Sequence, residues 1–260
     1  MKTLIVFGSK SDEHVIDEII SGLNFHHAAY EARICSAHRT PEDLDLLLKK
    51  DFSVVIAGAG LAAHLPGVCA AKTIVPVIGV PVGGNYGGMD ALLSIMQMPP
   101  GIPVLGVGVN KGDVAAQMAV AMQKQHESVN LFFGKKNKAV ESCIHILRDF
   151  GIRFETNPSF AANQLNIRFV PLDEQAKETG DLIIYVPELS KEYDNAEASL
   201  NLLENSKNGL WVGLNRGENA ALAAAEIMGI HDSALRDKMR AYRKVHAEKV
   251  REDDKEIKRK

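Results

Sequence analysis

The feature that limits this chain most is an alternation that runs from Thr3 to Val109. Short unbroken apolar runs take turns with segments whose apolar residues recur at helical spacing. The runs are TLIVF (3–7), EARIC (31–35), FSVVIAG (52–58), VPVIGV (75–80) and IPVLGVGV (102–109). Runs this short and continuous suit strands buried on both faces of a sheet. After the first run, Val15, Ile16, Ile19, Ile20 and Leu23 mark one face of a helix, with Ser11 or Asp12 as its expected N-cap. Thr40 is the expected cap of the next helix. Pro41 stands at its first position and Glu42 and Asp43 in its first turn, where acids suit the helix dipole. Leu44, Leu47 and Leu48 give that helix its buried face, and further helices are expected near 62–71, 88–97 and 112–125. Strands and helices in alternation dictate a parallel sheet covered on both sides, an α/β fold of three-layer αβα, flavodoxin-like or Rossmann-like, units. Ligands of such sheets bind beyond the carboxyl ends of the strands. Each polar cluster discussed below follows a strand.

Past a polar break at KQHESVN (124–130) the pattern begins again. NLFFGKKNKAVESCIHILRDFGIRFE (130–155) has the layout of TLIVFGSKSDEHVIDEIISGLNFHHAAYE (3–31), DLIIYVPEL (181–189) that of DFSVVIAGA (51–59), and GLWVGLN (209–215) that of IPVLGVGV. The offset, about 125 residues, implies two similar units in tandem, 1–126 and 127–260.

With 260 residues and 46% hydrophobic content the chain can bury a core for either one large domain or two small ones. A net charge of -3 argues against non-specific nucleic-acid binding. Cys35, Cys69 and Cys143 are odd in number and dispersed, as expected of reduced thiols in a cytoplasmic setting. The apolar run in MKTLIVFG is too short for a signal-peptide core, and no apolar segment approaches the ~20 residues of a membrane span.

Five stretches carry chemistry or its semblance. GSKSD (8–12) follows the first strand: Gly8 permits a tight turn, and Ser9, Ser11 and helix amides suit either a cap or a phosphate. Asp12 would repel a phosphate but can accept from sugar hydroxyls. In ICSAHRTPED (34–43), Ser36, His38 and Arg39 place a hydroxyl, an imidazole and a guanidinium just before a helix start. GAGLAA (58–63) matches a dinucleotide-binding pattern in form, yet no acid follows until Asp90, so its glycines read as close backbone approach to a ligand. His64 also lies just past a strand, where it and His38 can face one crevice. Two histidines without a third ligand make a poor metal case and a better proton-transfer case. GGNYGG (83–88) suggests a mobile or backbone-contacting loop before an apolar, buried helix. The segment from Arg236 onward has eleven basic and six acidic residues and an apolar stripe at Leu235, Met239 and Tyr242, as in a solvated helix docked by one face.

Together these stretches closely resemble the class I PurE family, the N5-carboxyaminoimidazole ribonucleotide mutases of purine biosynthesis. GSKSD, SAHRTP (36–41), IAGAGLAAHLPG (56–67), PVIGVPV (76–82) and MDALLSIMQMPPGIPV (89–104) occur in the family's order and spacing. GENAALAAAEIMGIHDSALRDKMRAYRKVHAEKV (217–250) resembles the family's C-terminal segment, displaced by about a hundred residues. In the second unit GSKSD is replaced by GKKNK (134–138) and the counterpart of SAHR by TNPSF (156–160), so that unit reads as structural.

The resemblance implies a rearrangement in which a carboxylate moves from the exocyclic amine of an imidazole ribonucleotide to ring carbon four. Carbon dioxide and the free amine are held together, without metal or organic cofactor. By motif, Ser9, Asp12, Ser36 and Arg39 bind the ribose phosphate portion, with Ser11 and Ala37 in the same turns. His38 is the general acid/base. His64, Leu65 and the backbone of Gly58, Ala59, Gly60 and Ala63 border the base and the carbon dioxide pocket. Family members are homo-octamers with sites between subunits, which implies a tetramer of tandem chains here. The loop GGNYGG departs from the family, as does Ala91, where a serine is common. Rivals are a carboxylase using free carbon dioxide on the amine or on a related nucleotide, and a non-catalytic nucleotide-binding scaffold.

Overall fold

The computed structural model describes residues 1–162, 164–172, 174, 181–189 and 195–258. The first run of elements is β1 (Thr3–Phe7), α1 (Glu13–Phe25), β2 (Tyr30–Ile34), α2 (Pro41–Leu47), β3 (Val54–Ala59), α3 (His64–Lys72), β4 (Val77–Pro81), α4 (Met89–Met96), β5 (Leu105–Gly106) and α5 (Gly112–Met122). The second is β6 (Val129–Phe132), α6 (Lys138–Phe150), β7 (Phe154–Thr156), β8 (Leu165–Pro171), β9 (Ile183–Glu188), α7 (Asn195–Asn205), β10 (Leu210–Trp211), α8 (Gly217–Met228) and α9 (Ser233–Lys258).

The ten strands of the described residues join one sheet in the order β2-β1-β3-β4-β5-β10-β9-β8-β6-β7. Both runs therefore use the same order, first–third strands inward and the fifth innermost. Within each run the pairs are parallel. The runs meet at β5 and β10, antiparallel, with Gly106 opposite Trp211. Registers and turns match residue for residue: Val107 and Val212 each donate 3.1 Å to a carbonyl of the neighbouring fourth strand, Gly79 and Tyr185. Gly106 and Trp211 are thus equivalent positions facing one another. Two glycines let the halves close: a Cβ on Gly108 would lie 2.8 Å from the Ser206 carbonyl, and one on Gly213 2.8 Å from that of Met96.

One face of the sheet carries a single apolar core across both halves, where α1, α5, α6 and α8 pack with the first turns of α9 through Leu235 and Met239. The opposite face divides. In the first half Leu4, Val6 and Val55 pack against α2 and α3 residues such as Leu44, Leu47 and Cys69. In the second, α7 covers Ile183, Tyr185 and Trp211 together with Leu92 and Met96 of α4. Tyr185 and Trp211 stack with centroids 4.6 Å apart, where the first half has Gly79 and Gly106 covered by Ile95 and Met96.

Three expectations need correction. The run 102–109 supplies only a two-residue strand, because Pro103 has no N–H to give a ladder and Asn110 turns the chain at φ 57°. Strand β8 was not expected at all, since Asn166 and Arg168 interrupt its apolar run. As a result DLIIYVPEL takes the fourth strand position, beside β8 and β10, rather than the third. The two units share one sheet, with α5 ending at Met122 and β6 beginning at Val129. Among the described residues no helix is long and apolar enough to cross a membrane.

Candidate active site

The turns after β1, β2, β3 and β4 surround a cavity of about 430 Å³ at the carboxyl ends of those strands. Parallel strands with α1, α2 and α3 starting just beyond them bring several helix N-termini to this side of the sheet, where backbone N–H groups favour an anion.

The turn after β1 is a single 3-10 turn, Lys10–Asp12, and Ser9 is its cap: Ser9 Oγ accepts from Ser11 N at 3.2 Å. Ser11 Oγ donates to Asp12 Oδ1 at 2.8 Å and lies 3.0 Å from Ser9 Oγ. Asp12 stands at the N-cap position of α1, as expected, but makes no side-chain cap bond; the capping hydroxyl is that of Ser9, on the 3-10 turn before the helix. Gly8 does not adopt a positive φ, and a Cβ there would meet nothing within 4 Å. What its missing side chain provides is open space on the cavity wall, not a special turn.

The turn after β2 closes on itself. Thr40 N donates to the Ser36 carbonyl at 3.0 Å, and Thr40 Oγ1 accepts from Ser36 N at 2.9 Å. Thr40 stands at the N-cap position of α2, but its hydroxyl points back into the turn and makes no bond to the helix amides. Ser36 Oγ accepts from Arg39 N at 3.3 Å, and the Arg39 guanidinium donates to the Gly8 carbonyl. Arg39 is thereby stretched across the mouth between the first two turns, its remaining donors available for a phosphate.

His38 and His64 meet from different turns. His38 Nε2 lies 3.0 Å from His64 Nδ1, with the rings edge to face at 85°. At that separation one nitrogen must donate and the other accept, so the facing edges share a single proton. Two imidazoles in such contact can pass a proton from one turn to the other. His38 and His64 are both exposed, as is Arg39.

Of the sequence-predicted residues, Ser9, Ser11, Asp12, Ser36, Ala37, His38, Arg39, Ala59, Gly60, His64 and Leu65 line the cavity. Gly58 and Ala63 are not among its walls. A Cβ on Gly58 would fall 2.0 Å from the Phe7 ring, so this glycine serves packing between β1 and β3. Ala63 is 1% exposed and belongs to the core beneath α3. Val82, which the sequence did not single out, closes the side nearest β4 with Gly83 and Gly84, and Leu61, held at φ 55°, joins the wall from the turn after β3. The glycine run at 83–88 was the available signal for two of them. Asn110 secures that loop: its Oδ1 accepts from Gly83 N at 2.8 Å. Cys35 and Cys69 are buried free thiols, and burial pushes that of Cys69 up to about 12, which leaves it protonated and unreactive.

The corresponding end of the second half is filled differently. By register Asn137 takes the place of Ser11; its Oδ1 accepts from Ala139 N and Val140 N at 2.9 and 3.1 Å, and its Nδ2 donates to Glu188. The side chain that would face a ligand caps α6 instead.

Comparison with known proteins gives a consistent result. The model of the AIR carboxylase family matches residues 2–130. An N5-carboxyaminoimidazole ribonucleotide mutase of Methanocaldococcus jannaschii is 49% identical over 117 residues, 45% of this chain and 74% of that protein. A protein of the same name from Pseudomonas aeruginosa is 42% identical over 151 residues, 52% of this chain and 91% of that protein. A phosphoribosylaminoimidazole carboxylase of Saccharomyces cerevisiae is 43% identical over 129 residues, 48% of this chain and 23% of that protein.

Proposed function

The chain belongs to the AIR carboxylase family, and from that premise we propose that its first half is an N5-carboxyaminoimidazole ribonucleotide mutase. The observation that carries this reading is the His38–His64 contact at 3.0 Å beside Arg39 and the serine turns, all in one cavity. Arg39, Ser9, Ser11 and Ser36 hold the ribose phosphate portion and Asp12 accepts from its hydroxyls. His38, protonated, gives its proton to the exocyclic nitrogen as the carbamate C–N bond breaks and carbon dioxide forms. Ring carbon four then bonds to the carbon dioxide, and His38 takes the proton that this carbon sheds, so the enzyme ends as it began. His64 Nδ1 holds the His38 ring in place between the two transfers. Keeping the gas beside the ring is a proximity effect that fails when water enters.

The test supplies the carbamate ribonucleotide at low bicarbonate, and separately the free amine with bicarbonate. Product in the first reaction is expected; product in the second alone would establish a carboxylase, the second reading, which the name of the yeast relative favours. His38→Asn is expected to abolish turnover and retain nucleotide binding. We read residues 127–260 as a copy that kept its sheet and lost its site, and the chain as a cytoplasmic tetramer that reproduces an octameric shell. A native mass of one chain would rule out that assembly.

A further inference from the structure

Helices α5 and α8 hold equivalent places in the two halves. Asn110 and Asn215, both at φ 57°, precede them and donate at 2.8 Å to the carbonyls of Pro81 and Pro187. The helices begin at Gly112 and Gly217. Matched from these points, Val114 corresponds to Asn219 and Ala121 to Glu226. All four positions are buried, but only α8 puts polar groups there.

Both polar groups act on the first half. Asn219 is 1% exposed. Its Oδ1 accepts from Gly101 N at 3.0 Å and its Nδ2 donates to the Pro99 carbonyl at 3.1 Å. Those backbone groups belong to the loop joining α4 to β5, and the valine of α5 can satisfy neither. Glu226 accepts from Arg243 of α9 at 2.9 Å, and the other amino group of Arg243 donates to the Ala70 carbonyl on α3 at 2.8 Å.

The two braces converge on one helix. Met98, next to the loop that Asn219 holds, lies against Gly67, its sulfur 3.3 Å from where a Cβ would stand. So α3 is held at Gly67 through Asn219 and at Ala70 through Arg243. The first residue of α3 is His64, one turn before Gly67. A helix this short moves as a rod, so a shift at either brace is a shift in the contact between His64 and His38.

We propose that Asn219 and Arg243 are positioning residues through which the second half sets the His38–His64 geometry of the first. This deepens the mutase reading and rests on it for the effect on turnover. It gives the second half a role that its own eroded crevice does not.

The test is Asn219→Val, which copies the residue of α5. Three quantities are read on the full chain: the His38 and His64 imidazole Cε1–H resonances without ligand, kcat and KM with the carbamate ribonucleotide, and the melting temperature. Both resonances are expected to move, and kcat to fall on the order of tenfold or more, as misplacements below an ångström do, with KM little changed. Asn219→Asp, which keeps the acceptor for Gly101 N, should restore part of each. The double variant Glu226→Ala with Arg243→Met removes the second brace without leaving a buried charge alone, and should move the same two resonances. It also decides the matter where Asn219→Val does not fold. Resonances that stay in place while the melting temperature falls would overturn the proposal and leave the braces purely structural. A wild-type protein that does not turn over the carbamate ribonucleotide would defeat the mutase reading instead, and the resonances would still decide the positioning.

Discussion

Replacing Glu226 by glutamine should make the protein more stable at neutral pH and change little at pH 5. Glu226 is 3% exposed, and burial pushes its carboxyl from an ordinary 4.5 up to about 8, against the pull of the Arg243 guanidinium 2.9 Å away. The folded chain therefore keeps this proton to about pH 8, while the unfolded chain releases it near 4.5. Between those values the folded state binds more protons, so the stability contributed by the protonated carboxyl is complete below about 4.5 and is lost as pH rises through 8. At about 1.4 kcal/mol per tenfold change in proton affinity the full swing is on the order of 5 kcal/mol. Glu226→Gln retains the shape and an oxygen that accepts from Arg243, and it has no proton to lose. Thermal melts of both proteins from pH 5 to 8.5 provide the assay. The wild type is expected to lose ground steadily against the variant, by on the order of 10 °C at pH 8, since about 1 kcal/mol moves the melting point of a chain this size by ~2–4 °C. Other titrating groups are common to both proteins and cancel in the difference. Parallel curves, or a variant that weakens as pH rises, would refute the reasoning and show that Arg243 keeps the carboxylate charged in the folded state.

Three further substitutions probe the parts that shape the cavity and the matching face of the second half. Gly58→Ala should cost about 1–3 kcal/mol through overpacking against Phe7, and the double variant with Phe7→Leu should recover most of it in chemical denaturation. Thr40→Val removes the acceptor of Ser36 N and should cost about 1–2 kcal/mol together with a loss of turnover that Thr40→Ser restores. Asn166→Val would take the acceptor from Ala161 N and from one of the two Asn130 amide hydrogens, now bonded at 2.9 and 2.8 Å, and is expected to cost about 2–4 kcal/mol with the first half's activity less affected than stability.

How far the sequence could be read depended on how local the deciding interaction was. The run Thr3–Phe7 was legible because all five residues are buried, and the stretch 62–71 because it lies between two buried strand runs, where a parallel sheet needs a crossover helix. The Ser36, His38 and Arg39 trio stood out from the helix start around it because nothing in a cap demands a guanidinium, and all three line the cavity. Thr40 was half legible. A hydroxyl before a helix can bond forward to the helix or back into the turn, and only the fold decides which. Asn219 was illegible, because its partners Pro99 and Gly101 are far away in sequence and near only once β5 has met β10. Gly58 misled for the same reason: the pattern around it named a ligand, and the contact that fixes it is a ring on the neighbouring strand.

The second half repeats the strand order of the first around a different set of side chains. In the first half Leu4 and Val55, paired across β1 and β3, lie under α2 and α3. The equivalent pair across β6 and β8 is Asn130 and Asn166, both fully buried. Among the described residues between β7 and β8 there is no helix, and the chain instead lies across these asparagines. Asn130 donates to the Ser159 carbonyl at 3.1 Å and accepts from Asn157 at 2.7 Å; Asn166 accepts from Ala161 N and donates to its carbonyl, both at 2.9 Å. Two apolar residues would have left this loop's backbone unpaired against the sheet, and two asparagines under a helix would have been unpaired themselves. A loop in place of the helix and asparagines in place of the apolar pair therefore go together, on the side of the sheet where the first half builds His64 and its helix. The opposite side, where α8 reaches the first half through Asn219, keeps the apolar pattern of the first half almost unaltered. An apolar side kept against the first half, with a buried asparagine aimed across the joint, accords with a second half that holds its neighbour in place.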